Sequence, residues 1–354
     1  MSTYPNRLAF DNVLVMRAAR YHGDHRVTVD NIPVPSVDPS DVLIAPEYVG
    51  VCGTDAHIVD GEYRSAPPIT LGHEIGGRVV KIGSSVRKLK VGDLVSVEPH
   101  YYCGVCVYCQ TGRLHMCPDR RAPGVHLDGG MAEFLLVDET IAYTVPGTED
   151  ARRAALTEPL ACAVHGLDRL APESGASIVV FGVGPVGALL IMLARRAGLG
   201  PIVAVEGRAA RRDLAQRVGA GIVLDPTEDG LPDRLLEASG GIGFPYAIDA
   251  VGSVAVMETA IPALSRGGRL LIFGVANPDA RASISPNDIY ARELTILGTA
   301  LNPFTHRRAA NLAHQLPLDE LRVGDFPLER FDEALAAQRE GTYDKVFITP
   351  QAKG

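Results

Sequence analysis

The sequence predicts two domains of different class: a β-rich domain, and an α/β domain built on a doubly wound parallel sheet. Three observations carry that expectation. A chain of 354 residues is longer than one hydrophobic core usually serves. Up to about residue 155, apolar residues recur in short alternating runs between Gly, Pro and Asp turn signals. From about Leu156 the texture changes to β-branched apolar runs separated by segments of helical length, the pattern of parallel βαβ units.

In the first part, Arg26-Val27-Thr28-Val29 and Asp41-Val42-Leu43-Ile44 alternate as strands do, and Asn31-Ile32-Pro33-Val34-Pro35 is too proline-rich for a helix. Residues 79–97 continue the pattern, with turns at Gly83-Ser84 and Gly92-Asp93. In the second part, strands are expected at 177–181, 202–205, 222–224, 246–251 and 269–273, with helices at 186–197, 208–218 and 254–264. Near the end, 328–339 reads as a helix stopped by Gly341, and 345–348 as a strand. No repeat or low-complexity linker is visible, so two packed domains without a tether are expected.

A net charge of −8 and a pI near 5.7 argue against nucleic acid or anionic membrane as the main partner. Residues 1–12 lack a basic stretch leading into an apolar run, so no secretory signal is expected. The apolar stretch 178–194 is interrupted by Gly182, Gly184, Pro185 and Gly187 and falls short of the ~20 residues of a spanning helix. A cytoplasmic protein follows, in which clustered cysteines are metal ligands more readily than disulfides.

Four of the six cysteines, Cys103, Cys106, Cys109 and Cys117, are spaced C-x2-C-x2-C-x7-C. Four thiolates converging on one point suit a closed tetrahedral zinc site, which is structural in kind and leaves no position for a substrate. A ferredoxin-type cluster would need a different last spacing. Chemistry therefore belongs elsewhere, and Cys52-Gly-Thr54-Asp55-Ala-His57 with Gly72-His73-Glu74 offers a second group of zinc-binding side chains. Glu158, in Thr157-Glu158-Pro159-Leu160, stands where the texture changes, a place from which a carboxylate can face a cleft between domains.

Gly182-Val183-Gly184-Pro185-Val186-Gly187 follows an apolar strand and opens a helix. In that setting the glycines allow a tight turn, close approach of backbone to a pyrophosphate, and close helix packing. Glu206 ends the next strand nineteen residues beyond Gly187, where an acid binds the two ribose hydroxyls of NAD and repels the extra phosphate of NADP. Arg208 and Arg211 follow closely and offset part of that repulsion; NAD is the favoured cofactor.

These pieces, together with the closing Asp344-Lys345-Val346-Phe347-Ile348, give the chain a resemblance to the zinc-dependent medium-chain alcohol dehydrogenase family over nearly its whole length. Glu158-Pro159-Leu160, in place of a second catalytic cysteine, resembles the polyol (sorbitol-type) branch. The resemblance implies a GroES-like catalytic domain from residues 1–159 and 301–354 around an inserted Rossmann domain, 160–300. It implies one catalytic zinc held by Cys52, His73 and Glu74, with Glu158 as alternate ligand or water partner, and one structural zinc in the four-cysteine lobe. Thr54 and His57 take the family's proton-relay positions, Asp55 that of a partner behind the zinc ligands, and Gly182, Gly184, Pro185, Val186, Gly187, Glu206 and Arg211 those of the NAD site. A homo-tetramer or homo-dimer is implied as well.

The expected reaction is hydride transfer from a secondary alcohol or polyol to NAD, giving a ketone. An alcohol does not release hydride readily until its oxygen carries negative charge, and zinc lowers the pKa of bound water from about 15.7 to about 7. Thr54 would accept the hydroxyl proton and pass it by way of the cofactor ribose to His57 and solvent. Where the polyol branch often carries an Arg-Tyr pair this chain has Leu301-Asn302, so sorbitol itself is disfavoured while other polyols, diols, sugars and amino alcohols such as threonine stay open. Two other readings are a zinc-free, NADPH-dependent reductase of the same superfold and a non-enzymatic NAD-binding or redox-sensing protein. Cys162 and His165 read as structural, Met131 and Phe134 as core, Arg120-Arg121 as a solvated loop, and Tyr63 and Tyr101-Tyr102 as residues bordering the cleft.

Overall fold

The computed structural model describes residues 14–352, so the N-terminal stretch read for a secretory signal lies outside the described residues. The chain divides into two compact units: residues 1–159, 306–315 and 322–354 form the first, and 160–305 with 316–321 the second. Residues 301–305 and 316–321 thus fall with the second unit, where the sequence reading had assigned all of 301–354 to the first.

The first unit opens with β1 (Val15–Tyr21), β2 (Val27–Pro33), β3 (Asp41–Gly50), α1 (Gly53–Val59), β4 (Ile69–Thr70), β5 (Glu74–Ile82) and β6 (Leu94–Val97). A short helix α2 (Val107–Gln110), then β7 (Leu135–Asp138), β8 (Ala142–Thr144) and α3 (Ala151–Ala155) follow. The boundary between the units falls within α4 (Thr157–Leu170). Apolar residues on the strands, such as Ile44, Val49, Ile75, Val79 and Val95, join one buried core, which also takes in Met131. Phe134 is buried in a smaller cluster with Met16 and Leu43.

The second unit runs β9 (Ile178–Phe181), α5 (Pro185–Arg196), β10 (Ile202–Val205), α6 (Ala209–Val218), β11 (Ile222–Leu224), α7 (Leu231–Ala238), β12 (Phe244–Asp249), α8 (Val254–Ala263), β13 (Leu264–Ile272), α9 (Pro286–Arg292) and β14 (Thr295–Gly298). Its six strands are ordered β11-β10-β9-β12-β13-β14, and every neighbouring pair is parallel. In sequence order within the unit this is 3-2-1-4-5-6, the doubly wound arrangement whose order reverses beside the first strand, here β9. Strands buried on both faces read as continuous apolar runs, as Ile178-Val179-Val180-Phe181 does.

The chain returns to the first unit through α10 (His306–Leu312), β15 (Val323–Phe326), α11 (Phe331–Glu340) and β16 (Lys345–Ile348). β16 lies between β15 and β3 in a sheet that continues through β5, β6 and β8, while β7 pairs with β3. Among the described residues no helix is long and apolar enough to cross a membrane.

Candidate active site and metal centres

Cys52 is the extended residue that precedes α1, and its backbone N–H donates to Asp55 Oδ2 at 2.9 Å. This side-chain acceptor at the third helical position satisfies a group the helix start would leave unpaired. It also buries Asp55 completely and fixes the Cys52 backbone. The other Asp55 oxygen stands 3.7 Å from His73 Nδ1. That is longer than a hydrogen bond, and neither atom has a hydrogen-bond partner among the described residues, so the carboxylate acts on the imidazole through its charge.

Glu74 is the first residue of β5 and lies opposite Gly50 of β3. A side chain at Gly50 would meet Glu74 Oε2 at 1.9 Å and Lys345 Cε at 2.9 Å, so the missing Cβ makes room for this carboxylate and its partner. That partner is Lys345, the first residue of β16, whose Nζ forms an ion pair with Glu74 Oε2 and donates to Val51 O at 3.3 Å. Both are buried, Glu74 at 2% and Lys345 at 4% exposure.

Ligand atoms of Cys52, His73 and Glu74 lie within 4.8 Å of one another. Tetrahedral bonds of about 2.0–2.3 Å hold ligand atoms roughly 3.3–3.8 Å apart, so a Cys-His-Glu set of one thiol, one imidazole and one carboxylate fits an open zinc site with at most a small inward adjustment. The charges are strongly interdependent. Burial pushes the Asp55 carboxyl up, against the opposing pull of His73 and the Cys52 N–H. Burial by itself would lower His73, but Asp55, Cys52 and Glu158 outweigh it and hold the imidazole well above its ordinary value. Likewise burial would lower Lys345, and Glu74, Cys52 and Asp55 reverse the sign. Glu158, in the first turn of α4, is buried and contributes to the field on His73.

Thr54 and His57 are three residues apart on α1 and therefore share one face of the helix. Thr54 Oγ1 is 3.8 Å from Cys52 Sγ. His57 is exposed, and its Nδ1 lies 2.6 Å from Glu62 Oε2.

The four-cysteine lobe forms a second cluster, with the sulfurs of Cys103, Cys106, Cys109 and Cys117 all within 4.8 Å of one another and none in a disulfide. Three of them already accept backbone N–H groups: Cys103 from Cys106, Cys106 from Cys109, and Cys117 from Cys103, at 3.4–3.5 Å. N–H groups of Val105 and Cys106 draw Cys103 down to about 7, whereas desolvation pushes Cys109 up to about 12. Four sulfurs this close together fit a divalent cation, which would favour the thiolate at all four.

In the second unit, Gly182 adopts φ +89°, and a Cβ there would meet Val251 Cγ2 at 2.5 Å. Gly184 caps α5 with Pro185 at the first helical position and Val186 next, and a Cβ at Gly187 would stand 2.1 Å from Gly182 O. The helix start is thus pressed onto the turn, with its free N–H groups available to an anion. Glu206 follows β10 and is held from two sides: Val183 N donates to Oε2 at 2.8 Å and Arg208 N to Oε1 at 2.9 Å. Arg211, on α6, brings Nη1 within 3.9 Å of where a Cβ of Gly184 would be.

The protein-family model described as "Alcohol dehydrogenase GroES-like domain" matches residues 38–147, and the one described as "Zinc-binding dehydrogenase" matches residues 185–315. A D-arabitol-phosphate dehydrogenase of Enterococcus avium is 32% identical over 90% of this chain and 92% of its own length. The chain belongs to the zinc-binding alcohol dehydrogenase family. An L-threonine 3-dehydrogenase of Pyrococcus abyssi is 34% identical over 95% of this chain and 98% of its own. Among solved structures, a protein of Sinorhizobium meliloti described as a zinc-binding dehydrogenase, with NADP bound, superposes with a TM-score of 0.90 at 34% identity, covering 95% of this chain and 99% of that one. As a member of this alcohol dehydrogenase family, the chain is an oxidoreductase that uses a nicotinamide dinucleotide to oxidise alcohols.

Several residues around these sites escaped the sequence reading. Lys345 stood in a quoted motif but without a role. His100 is buried, with Arg120 Nη1 3.3 Å from its Nδ1. Burial, then Arg120, His73 and His306, hold its imidazole well below the ordinary value, so Arg120 is half-buried against a histidine rather than simply solvated. His306, fully buried with Nε2 3.0 Å from Ser96 Oγ, is pushed by burial down to about 3. Nothing in the local pattern of these isolated histidines marks them. In the second unit Asn302 is completely buried, and neither atom of its carboxamide has a hydrogen-bond partner among the described residues.

Proposed function

We propose that this chain oxidises the secondary hydroxyl of a polyol, diol or amino alcohol to a ketone with NAD, using a catalytic zinc held by Cys52, His73 and Glu74. The observation that carries this reading is the convergence of those three buried ligand atoms, with Asp55 behind His73 and Glu158 bearing on the same imidazole. When bound, zinc supplies the positive charge that favours an ionised alcohol oxygen near neutral pH, and nicotinamide accepts the hydride. The chain's own residues hold and orient. Asp55 places a carboxylate behind His73, and Lys345 balances the charge of Glu74. Glu158 offers a carboxylate to the fourth position, Thr54 takes the hydroxyl proton, and His57, exposed at the other end of the same helical face, gives a proton to water.

NAD is favoured because Glu206 is pre-oriented by two backbone N–H groups, which leaves its remaining lone pairs for two ribose hydroxyls. Arg208 and Arg211 support a second reading, acceptance of NADP, which is the cofactor bound to the Sinorhizobium protein. The four-cysteine lobe takes a second, structural zinc. Substrate breadth beyond sorbitol rests on Leu301-Asn302, which stands where the polyol branch often carries an Arg-Tyr pair. A homo-oligomer is supported by the edge position of β14 in the six-stranded sheet, where no further strand pairs with it among the described residues.

A panel of polyols, vicinal diols, sugars and threonine, run with NAD and with NADP while following the reduced cofactor, tests the reading. Metal analysis should find two zinc ions per chain. Cys52→Ser or His73→Ala should abolish turnover and remove one zinc while leaving NAD binding intact; a variant with near-normal rate would sink the catalytic-zinc assignment.

A further inference from the structure

Helix α1 ends in a loop that folds back under His57. Asp60 N donates to Ala56 O and Gly61 N to Ile58 O, and Gly61 takes φ +75°, which reverses the chain. The backbone N–H groups of Glu62 and Tyr63 then both donate to His57 O, at 2.8 and 3.0 Å. Two outside contacts pin this turn: His25 Nδ1 lies 2.7 Å from Val59 O, and Arg339 Nη2 donates to Asp60 Oδ1 at 2.6 Å. The Glu62 side chain is thereby carried back alongside the imidazole of the residue whose carbonyl its backbone N–H is bonded to, and its Oε2 reaches His57 Nδ1 at 2.6 Å.

An ionised carboxylate has no proton to give, so a contact of that length requires the hydrogen to be on Nδ1. The lone pair of the neutral ring is then on Nε2. We propose that Glu62 is the positioning residue of the proton exit: it fixes His57 as the Nδ1–H tautomer, keeps Nε2 as the accepting nitrogen, and faces the positive charge while a proton is in transit. This rests on the reading of His57 as the relay's outlet. In the balanced step, Nε2 accepts one proton arriving from the Thr54 side of α1, and the ring becomes an imidazolium against the Glu62 carboxylate. Nε2–H then passes that proton to water; Glu62 neither gains nor loses one. Side-chain exposures of 55% for His57 and 64% for Glu62 place this outlet in contact with solvent, as an exit requires.

The experiment uses zinc-loaded full-length protein and two independent readouts. Nitrogen-15 NMR of the histidine rings, with the His57 signals identified by their loss in His57→Ala, should show Nδ1 protonated in the neutral ring. In Glu62→Ala the population should move toward the Nε2–H tautomer that free imidazole side chains prefer. Steady-state kinetics with NAD and a secondary alcohol should show kcat about two- to fivefold lower in Glu62→Ala, the scale of one exposed ion pair, with KM for NAD unchanged. Glu62→Asp should restore part of the rate. In a His57→Ala background, Glu62→Ala should add no further loss. An unchanged tautomer in Glu62→Ala, or additive losses in the double variant, overturns the proposal. A near-normal kcat in His57→Ala overturns the relay reading, and with it the catalytic part of the proposal; the NMR signal still decides separately whether Glu62 holds the ring.

Discussion

Replacing Lys345 by Met isolates the contribution of β16 to the proposed metal site. The amine is 4% exposed and faces a carboxylate that is 2% exposed, with Val51 O as its other partner. At contact distance and an effective dielectric of about 20, their attraction is of order 4–5 kcal/mol, much of it offset by desolvation of the two charges. Truncating one partner does not recover that desolvation. It leaves Glu74 buried and uncompensated, a loss that in comparable cases is about 3–5 kcal/mol. For a unit of about 200 residues this corresponds to a fall in Tm of roughly 6–20 °C. Zinc changes the expectation, because a divalent cation at Cys52, His73 and Glu74 would replace the missing positive charge. Denaturant titrations of Lys345→Met should therefore show the full loss in zinc-stripped protein and a smaller one in zinc-loaded protein. Adding Glu74→Gln to the variant should cost less than the sum of the single changes. A loss below about 1 kcal/mol in the stripped protein would refute the argument that Glu74 depends on Lys345 for its charge balance.

Other expectations follow from single contacts. Gly187→Ala places a methyl 2.1 Å from Gly182 O, a position that real Cβ atoms do not take, so the turn must open; cofactor affinity should fall by at least tenfold, measured by fluorescence quenching on NADH titration. Glu206→Ala removes charge-assisted bonds worth about 1.5–3 kcal/mol, and the preference for NAD over NADP should drop by roughly 10- to 100-fold; an unchanged ratio of kcat/KM would dismiss its ribose role. His306 has its folded-state value depressed to about 3, below the ordinary 6.5, so between those values the unfolded chain binds the extra proton. Its contribution to stability is complete above pH 6.5 and declines as pH falls toward 3, by about 3 kcal/mol at pH 4. Equilibrium unfolding of His306→Gln should show a flatter dependence over that window, and an identical slope in both proteins would contradict it.

Much of the architecture was legible because regular patterns report it directly. Continuous apolar runs marked strands β9, β10 and β11 within a residue, and β16 was read with its observed ends. β13 begins five residues before its expected start because Leu264-Ser265-Arg266-Gly267-Gly268 carries polar and glycine residues that resemble a turn, yet it still belongs to the strand. Among the helices not anticipated, α7, α9 and α10 are seven or eight residues long, about two turns and short of the roughly 11–18 residues over which a helical pattern stands out; α4, fourteen residues long, was read only as the junction around Glu158. The candidate site was legible where spacing carries information, as in Cys52 to His57 or the four-cysteine lobe. Partners that meet through tertiary folding were not. Lys345 is 271 positions from Glu74 and His306 is 210 from Ser96, and no local pattern encodes such pairings. Glu62 was missed for a different reason: five residues from His57 on a helix would point away from it, and only the reversal at Gly61 turns it back.

The position of β16 also bears on how the molecule is made. A ribosome delivers all six strands of the parallel sheet, residues 178–298, before it reaches the lysine that neutralises Glu74. The inserted unit therefore has every strand it needs while the surrounding one still lacks the strand between β3 and β15. A chain that stops short of residue 345 would retain the parallel sheet but carry an unbalanced carboxylate in the set proposed to hold zinc. Arrival of β16 thus completes the charge balance of the first unit, and a product lacking it is penalised in stability unless a cation takes the place of Lys345.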